Sequence, residues 1–225
     1  MPLLSVIVPV YNEVRTIGEI LNKVNALNLD KEIIVVEDGS TDGTDKVLRG
    51  ISYPNLKIIY HGSNRGKGAA FLTGLANATG EFVIIQDADL EYEPQECVRL
   101  MEVMRKNAAD IVLGVRFTEK YHGLLIPRMG NRFLTIFLNL LFNVRINDFL
   151  TCYKLFRRET ISSLGIKSPG FDMDAEIVTK ALKKKMRIEQ VPISYQPRNY
   201  AQGKKIRWLD GIHAMLAIVR YRFWA

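Results

Sequence analysis

The chain is poor in the residues that build covalently or metal-stapled folds. Its 225 residues include two cysteines and three histidines. Cys97 and Cys152 form no CxxC pair and have no His/Cys cluster beside them, so they read as two reduced core thiols rather than a disulfide framework or a zinc site. Long apolar runs are also missing. No stretch reaches the ~20 residues that span a bilayer, and the most apolar region, 133–144, is interrupted by Asn139 and Asn143. Residues 3–10 are apolar but short, with no basic flank or small-residue cleavage site, so they read as a first strand rather than a signal peptide. There are no internal repeats, low-complexity tracts or flexible linkers. A Walker A loop is excluded, because only three residues separate Gly62 from Gly66 where four are needed, and Gly68 follows Lys67 where Ser or Thr is required. No Gly-x-Gly-x-x-Gly follows the first strand, which excludes an ordinary dinucleotide site.

What is present is ordinary globular material. Hydrophobic residues make up 48% and charged residues 24%, which excludes disordered and collagen-like classes. Lys and Arg outnumber Asp and Glu by 31 to 24, a net charge of +7, and this excess favours anionic partners. The basic residues are scattered and form no recognised nucleic-acid module, so nucleic acid is not expected as a partner.

The first half alternates strand and helix. Strands are expected at 4–10, 33–36, 56–60, 82–85 and 111–115, with helices starting near Thr16, Thr44, Gly68 and Pro94 between them. Such alternation predicts an α/β fold with a mostly parallel central sheet flanked by helices. The second half is less regular, with helices at 127–144, 174–185 and 208–223, a strand over 151–156 and extended chain at 188–195. One domain, 1–225, is the simplest division.

Ligands of parallel sheets bind beyond the carboxyl ends of the strands. Four polar clusters fall there: Tyr11-Asn12-Glu13, Glu37-Asp38-Gly39-Ser40, residues 64–68 and residues 87–91. In Asp87-Ala88-Asp89 two carboxylates sit one residue apart after a buried strand and repel each other unless a cation is present. A hard divalent ion that also meets diphosphate oxygens relieves this, with Glu91 as a third ligand. A solvated acidic turn capping the next helix is the plainer alternative. Asp38 can accept from a base or ribose, or can serve an Asx-type turn. Residues 64–68 form a basic loop that opens a helix, a position that suits an anion.

In order and spacing, Pro9-Val10-Tyr11-Asn12-Glu13, Glu37-Asp38-Gly39-Ser40, Asn64-Arg65-Gly66-Lys67-Gly68-Ala69 and Asp87-Ala88-Asp89 resemble the inverting family 2 glycosyltransferases of GT-A fold. The later signals are Asp148-x-x-Thr151-Cys152-Tyr153, residues 171–176, and Val191-Pro192-Ile193 followed by Tyr195, Arg198 and Gly203-Lys204-Lys205. These are similar to the polyprenyl-phosphate sugar synthases, such as the dolichol-phosphate mannose synthases. The resemblance covers essentially the whole chain. There are departures: Glu37 stands where many relatives have Asp, the interval from Arg198 to Gly203 is longer, and Lys204 replaces a Ser.

The resemblance implies a GT-A, Rossmann-like sheet with C-terminal amphipathic, interfacial helices. It implies a nucleotide-sugar-binding half, 1–116, and an acceptor-binding, membrane-facing half, 117–225. The donor would be GDP-mannose or a UDP-sugar, bound by Pro9, Tyr11, Glu13, Val36, Asp38, Lys67, Asp87 and Ala88. Asp87, Asp89 and Glu91 would hold Mg²⁺ or Mn²⁺. Arg128, Arg132, Arg198, Lys204 and Lys205 would meet the phosphate of a polyprenyl acceptor. Catalytic roles would fall to Asp89, Arg116 and Glu176. The alternative acceptor is a saccharide hydroxyl, which needs a general base, and Glu176 is the candidate. A non-catalytic nucleotide-binding protein is argued against by the intact Asp87/Asp89 pair.

Two segments bear on the membrane. Residues 127–144 carry Met129, Phe133, Ile136, Phe137, Leu140, Leu141 and Val144 with Arg128 and Arg132 near one end, either as a core helix or as an interfacial one. The last helix mixes Trp208, Tyr221, Phe223 and Trp224 with Arg220 and Arg222, a composition suited to an interface. The expected location is the cytoplasmic face of a membrane, by peripheral contact or through a membrane-protein partner, or the cytoplasm.

Overall fold

The computed structural model describes residues 2–116, 125–198 and 208–224. Seven strands form one sheet: β1 (Leu4–Val10), β2 (Lys31–Glu37), β3 (Leu56–Tyr60), β4 (Phe82–Ile85), β5 (Ile111–Val115), β6 (Lys154–Arg157) and β7 (Ile188–Pro192). Their spatial order is β3-β2-β1-β4-β6-β5-β7. The helices are α1 (Ile17–Asn25), α2 (Thr44–Arg49), α3 (Lys67–Ala76), α4 (Cys97–Lys106), α5 (Leu125–Phe142), α6 (Arg158–Ser163), α7 (Met173–Lys183) and α8 (Trp208–Phe223).

The sheet is buried on both faces, and this is why its central strands read as apolar runs. On β1 the side chains alternate, with Val6, Val8 and Val10 in one core cluster and Ile7 in the other. The first cluster takes Ile17, Ile20, Leu21 and Val24 from α1 and Leu100 and Met104 from α4. The second takes Phe71 from α3, Leu134 and Leu138 from α5, Ile177 and Val178 from α7, and Ile218 and Tyr221 from α8.

β1, β2, β3 and β4 run parallel, and so do β5 and β7, while β6 is antiparallel to both its neighbours, β4 and β5. This reversal matters for the site. It brings the chain entering β6, residues 148–153, to the same edge as the carboxyl ends of β1, β2, β4 and β5. The strand expected over 151–156 begins only at Lys154, because the Tyr153 N–H turns back to the Thr151 Oγ. α6 was not legible: it has six residues and one buried apolar side chain, Ile161, so it carries no periodicity. The helix expected from Pro94 starts as a 3₁₀ turn, Pro94–Glu96, before α4.

Among the described residues no helix is long and apolar enough to cross a membrane. α5 and α8 instead expose apolar side chains. Met129, Phe133, Ile136 and Leu140 are 70%, 63%, 49% and 79% exposed on α5, and Leu209, Leu216 and Phe223 are exposed on α8. The two helices contact one another.

Candidate active site

A cavity of about 300 Å³ opens at the carboxyl edge of the sheet. Its walls come from every cluster singled out in the first half of the sequence. β1 delivers Pro9, Tyr11 and Glu13; β2 delivers Asp38; the loop before α3 delivers Asn64, Gly66 and Lys67. β4 delivers Asp87, Ala88, Asp89 and Glu91, and β5 delivers Arg116. Tyr92, Cys152, Phe171 and Arg198 complete it.

Asp38 is committed to the protein. Its Oδ1 meets His61 Nδ1 at 2.6 Å and accepts the Arg65 N–H at 3.0 Å, and its Oδ2 accepts the Gly66 N–H at 2.8 Å. Asp38 therefore staples the basic loop to β2 and shapes the cavity wall. Gly39, at φ 71°, allows the close approach, since a Cβ there would lie 2.5 Å from the Ser63 carbonyl carbon. Asp42, not Asp38, serves the turn before α2, accepting the Thr44 N–H at 3.0 Å and the Val14 N–H at 3.1 Å.

The acid pair is divided between two cations. Lys67 Nζ lies 2.5 Å from Asp87 Oδ1 and donates to Cys152 Sγ at 2.9 Å. Burial opposes both charges, but each partner's charge outweighs it, holding the Lys67 amine well above and the Asp87 carboxyl below their usual ranges. Asp89 behaves oppositely. Burial and the charges of Asp87 and Glu91 push its carboxyl up to about 7, against the pull of Arg198. Leu90 takes a left-handed conformation, φ 64°, so that Asp89 Oδ1 accepts the Glu91 N–H at 3.0 Å and both carboxylates face one side.

Glu91 is fixed by the chain leaving β7. Tyr195 donates its hydroxyl to Glu91 Oε2 at 2.6 Å, the Arg198 N–H donates to Oε1 at 2.7 Å, and Tyr92 bridges Tyr195 in the backbone. Arg198 then reaches Glu13 and Asp89, with Nη1–Oε2 3.0 Å and Nη2–Oε1 3.1 Å to Glu13, and Nη2–Oδ2 3.0 Å to Asp89.

Arg116 is held by Asp148. Nε donates to Oδ2 at 2.7 Å, Nη2 donates to Oδ1 at 2.8 Å, and Asn131 of α5 adds a bond to Oδ1 at 2.9 Å. Burial works against the Asp148 charge, but the Arg116 guanidinium beside it holds the carboxyl below its usual range. The Arg116 guanidinium also stands 5.3 Å from the Tyr195 ring centroid. Beneath the cavity, buried Lys154 pairs with Asp174 and donates to the Thr151 carbonyl.

Several predicted residues fall elsewhere. Glu176 does not line the cavity. Its fully buried carboxylate accepts N–H bonds from Lys167 and Ser168 and a bond from Lys180 at 2.6 Å, all spent on holding the 165–168 turn against α7. Val36 is buried in the second core cluster and faces away from the cavity walls. Arg128 and Arg132 lie on α5 outside the cavity, with Arg132 exposed. Lys204 and Lys205 lie outside the described residues. Lys154, Tyr92 and Asn131 were not singled out. The one available signal was Lys154 itself, a charge within the stretch Cys152-Tyr153-Lys154-Leu155-Phe156, which demands a partner if buried.

The family profile for glycosyl transferase family 2 matches residues 5–165. The chain belongs to the family 2 glycosyltransferases. The low-salt glycan biosynthesis hexosyltransferase Agl6 of Haloferax volcanii is 30% identical over 204 residues, covering 88% of this chain and 48% of the relative. The dolichol-phosphate mannosyltransferase of Pyrococcus furiosus is 28% identical over 211 residues, covering 89% and 58%. The chain thus spans about half the length of the curated relatives it matches. Among solved structures, glucosyl-3-phosphoglycerate synthase from Mycobacterium tuberculosis, in complex with Mn²⁺, UDP and glucosyl-3-phosphoglycerate, aligns with TM-score 0.73 at 21% identity over 98% of this chain and 78% of its own. Mannosyl-3-phosphoglycerate synthase from Rubrobacter xylanophilus aligns with TM-score 0.75 at 22% identity over 98% and 72%. These likenesses establish the GT-A fold for this family 2 chain.

Proposed function

We propose that this family 2 chain moves a hexosyl group, with inversion, from a nucleotide-diphosphate sugar to a polyprenyl (dolichyl) phosphate at a membrane surface. The observation that carries the reading is the convergence of Asp87, Asp89 and Glu91 with Lys67, Arg116 and Arg198 around one cavity. The Pyrococcus relative bears the name dolichol-phosphate mannosyltransferase, and the mycobacterial neighbour holds UDP with Mn²⁺. Residues 1–116 would bind the donor, and residues 117–225 would face acceptor and membrane.

The donor set fits a hard divalent cation. Asp89 and Glu91 offer carboxylate oxygens beside Asp87, and burial, together with the neighbouring charges of Asp87 and Glu91, raises the Asp89 carboxyl. Among the described residues no group of three such ligands is assembled, and Lys67 and Arg198 pair with Asp87 and Asp89. Mg²⁺ or Mn²⁺ held by Asp89 and Glu91 with donor oxygens would supply Lewis-acid charge neutralisation to the diphosphate.

The chain's own residues account for the rest. Glu13 and Tyr11 line the cavity and would bound the nucleoside. Arg116, locked by Asp148, offers a pre-oriented cation to phosphate oxygens. A lipid-phosphate oxygen attacks the anomeric carbon, the bond to the diphosphate breaks, and the electron pair leaves on the nucleoside diphosphate. No proton is moved, because the nucleophile is already anionic at neutral pH. This suits a site in which Glu176 is fully engaged. The exposed apolar face of α5 and α8, with Arg132 and Arg220 beside it, would rest in the headgroup boundary.

GDP-mannose, UDP-glucose and UDP-N-acetylglucosamine should be screened with Mn²⁺ for binding, then for transfer to a short polyprenyl phosphate. Binding of one donor and a glycosyl-phosphopolyprenol product are expected. Transfer to a sugar hydroxyl with every lipid phosphate inert would overturn the acceptor assignment.

A further inference from the structure

Glu13, Asp87, Asp89 and Glu91 share a small cavity and repel one another, and the folded chain must supply positive charge to hold them. Lys67 answers Asp87. Among the described residues, the Arg198 guanidinium meets the other three. Arg198 lies 3.0 and 3.1 Å from the two oxygens of Glu13, 3.0 Å from Asp89 Oδ2, and 4.0 Å from Glu91 Oε1. Glu13 follows β1 and Asp89 follows β4, so a single planar fork ties the chain after β1 to the chain after β4.

We infer that Arg198 is the resident counter-cation of this acid cluster, and that a divalent ion enters only by displacing its guanidinium from Asp89 and Glu13. Arg198 thereby keeps the site weak for metal until donor is present. This rests on the metal-dependent reading above and adds to it an internal competitor. Three features support the competition. Arg does not deprotonate in proteins, so it cannot vacate the site by losing its charge; the side chain has to move. The side chains of Arg198, Glu13 and Asp89 are only 16%, 8% and 16% exposed, which limits screening by solvent and salt. The main chain of Arg198 stays anchored by its N–H to Glu91, so a displaced guanidinium remains at the cavity rim. Metal and guanidinium thus contend for the same oxygens of Asp89. The incoming diphosphate, bringing its own negative charge, gives the displaced guanidinium another partner.

The test is a Mn²⁺ titration without nucleotide, read by the loss of the free-ion electron paramagnetic resonance signal. Wild type, Arg198→Gln and Arg198→Lys are compared. Arg198→Gln should bind Mn²⁺ at least about tenfold more tightly than wild type, equivalent to about 1.4 kcal/mol. Arg198→Lys should gain less, since a point charge cannot bridge both acids. Thermal melting gives a second readout: Arg198→Gln should melt lower than wild type without metal and gain more from saturating Mn²⁺. Equal or weaker Mn²⁺ binding by Arg198→Gln overturns the inference; if that variant does not fold, the same result from Arg198→Lys does so. Failure of the glycosyltransferase reading would show separately, as wild type that transfers no sugar with Mn²⁺ and donor, whatever the titration gives.

Discussion

The charged side chains of this site are held by opposite charges, in pairs at Lys67–Asp87, Arg116–Asp148 and Lys154–Asp174 and as a cluster around Arg198. A buried pair contributes little net stability when intact, but losing one partner strands a charge in a poorly hydrated place. Lys154 and Asp174 are the clearest case, at 0% and 5% side-chain exposure. Replacing Lys154 with Met should cost about 3–5 kcal/mol, measured by urea unfolding; a cost below about 1 kcal/mol would mean that Asp174 finds another partner. Asp148 makes a second prediction. Its carboxyl is held below its unfolded value, so the stability it contributes is fully present above about pH 4 and is lost as pH falls through the lower folded-state pKa. Asp148→Asn should therefore flatten the acid limb of the stability–pH curve and leave its neutral-to-basic limb unchanged in shape. An unchanged acid limb would contradict this.

At the scale of elements, the first half of the fold was legible because each parallel strand announces itself twice. It is an apolar run, and a polar cluster follows at its carboxyl end. Tyr11, Asp38, Lys67 and Asp89 could be assigned to one sheet edge from that rhythm alone. β6 gave no such signal. It is four residues long, contains a lysine, and runs against its neighbours, so its amino end rather than its carboxyl end reaches the site. Asp148 and Cys152 were therefore visible in a motif but not as neighbours of Arg116 and Lys67, and Lys154, the partner of Asp174, was not singled out. Glu176 misled for a related reason. It sits in the first turn of α7, near cavity-lining Phe171 in sequence, yet the helix turns it toward the Lys167 and Ser168 N–H groups. Close packing between elements also constrains the site. A Cβ on Gly68 would collide with the Ser168 carbonyl oxygen, so Gly68→Ala should cost about 1–3 kcal/mol, visible as a lower melting temperature. A neutral result would show that the 166–170 loop yields freely.

The whole molecule places two chemistries side by side. A polar cavity sits at the sheet edge, and α5, one of whose residues helps hold Arg116 through Asp148, carries an exposed apolar stripe. The net charge of +7 favours an anionic surface. Phe133→Glu combined with Leu140→Glu should weaken sedimentation with anionic vesicles by at least about tenfold. Both side chains are mainly in solvent, so the melting temperature should hardly move. Unchanged vesicle binding would remove α5 from the membrane contact.

In the proposed reaction, the acid cluster at the end of β4 activates a nucleotide-sugar for transfer to a lipid phosphate. The most direct measurement is the rate at which labelled sugar appears on a short polyprenyl phosphate, with Mn²⁺ and the bound donor, for wild type and Asp89→Asn at equal folded concentration. Wild type should form the glycosylated lipid phosphate, and Asp89→Asn should be slower by about 10²-fold or more. A folded Asp89→Asn protein that keeps the wild-type rate would contradict the account.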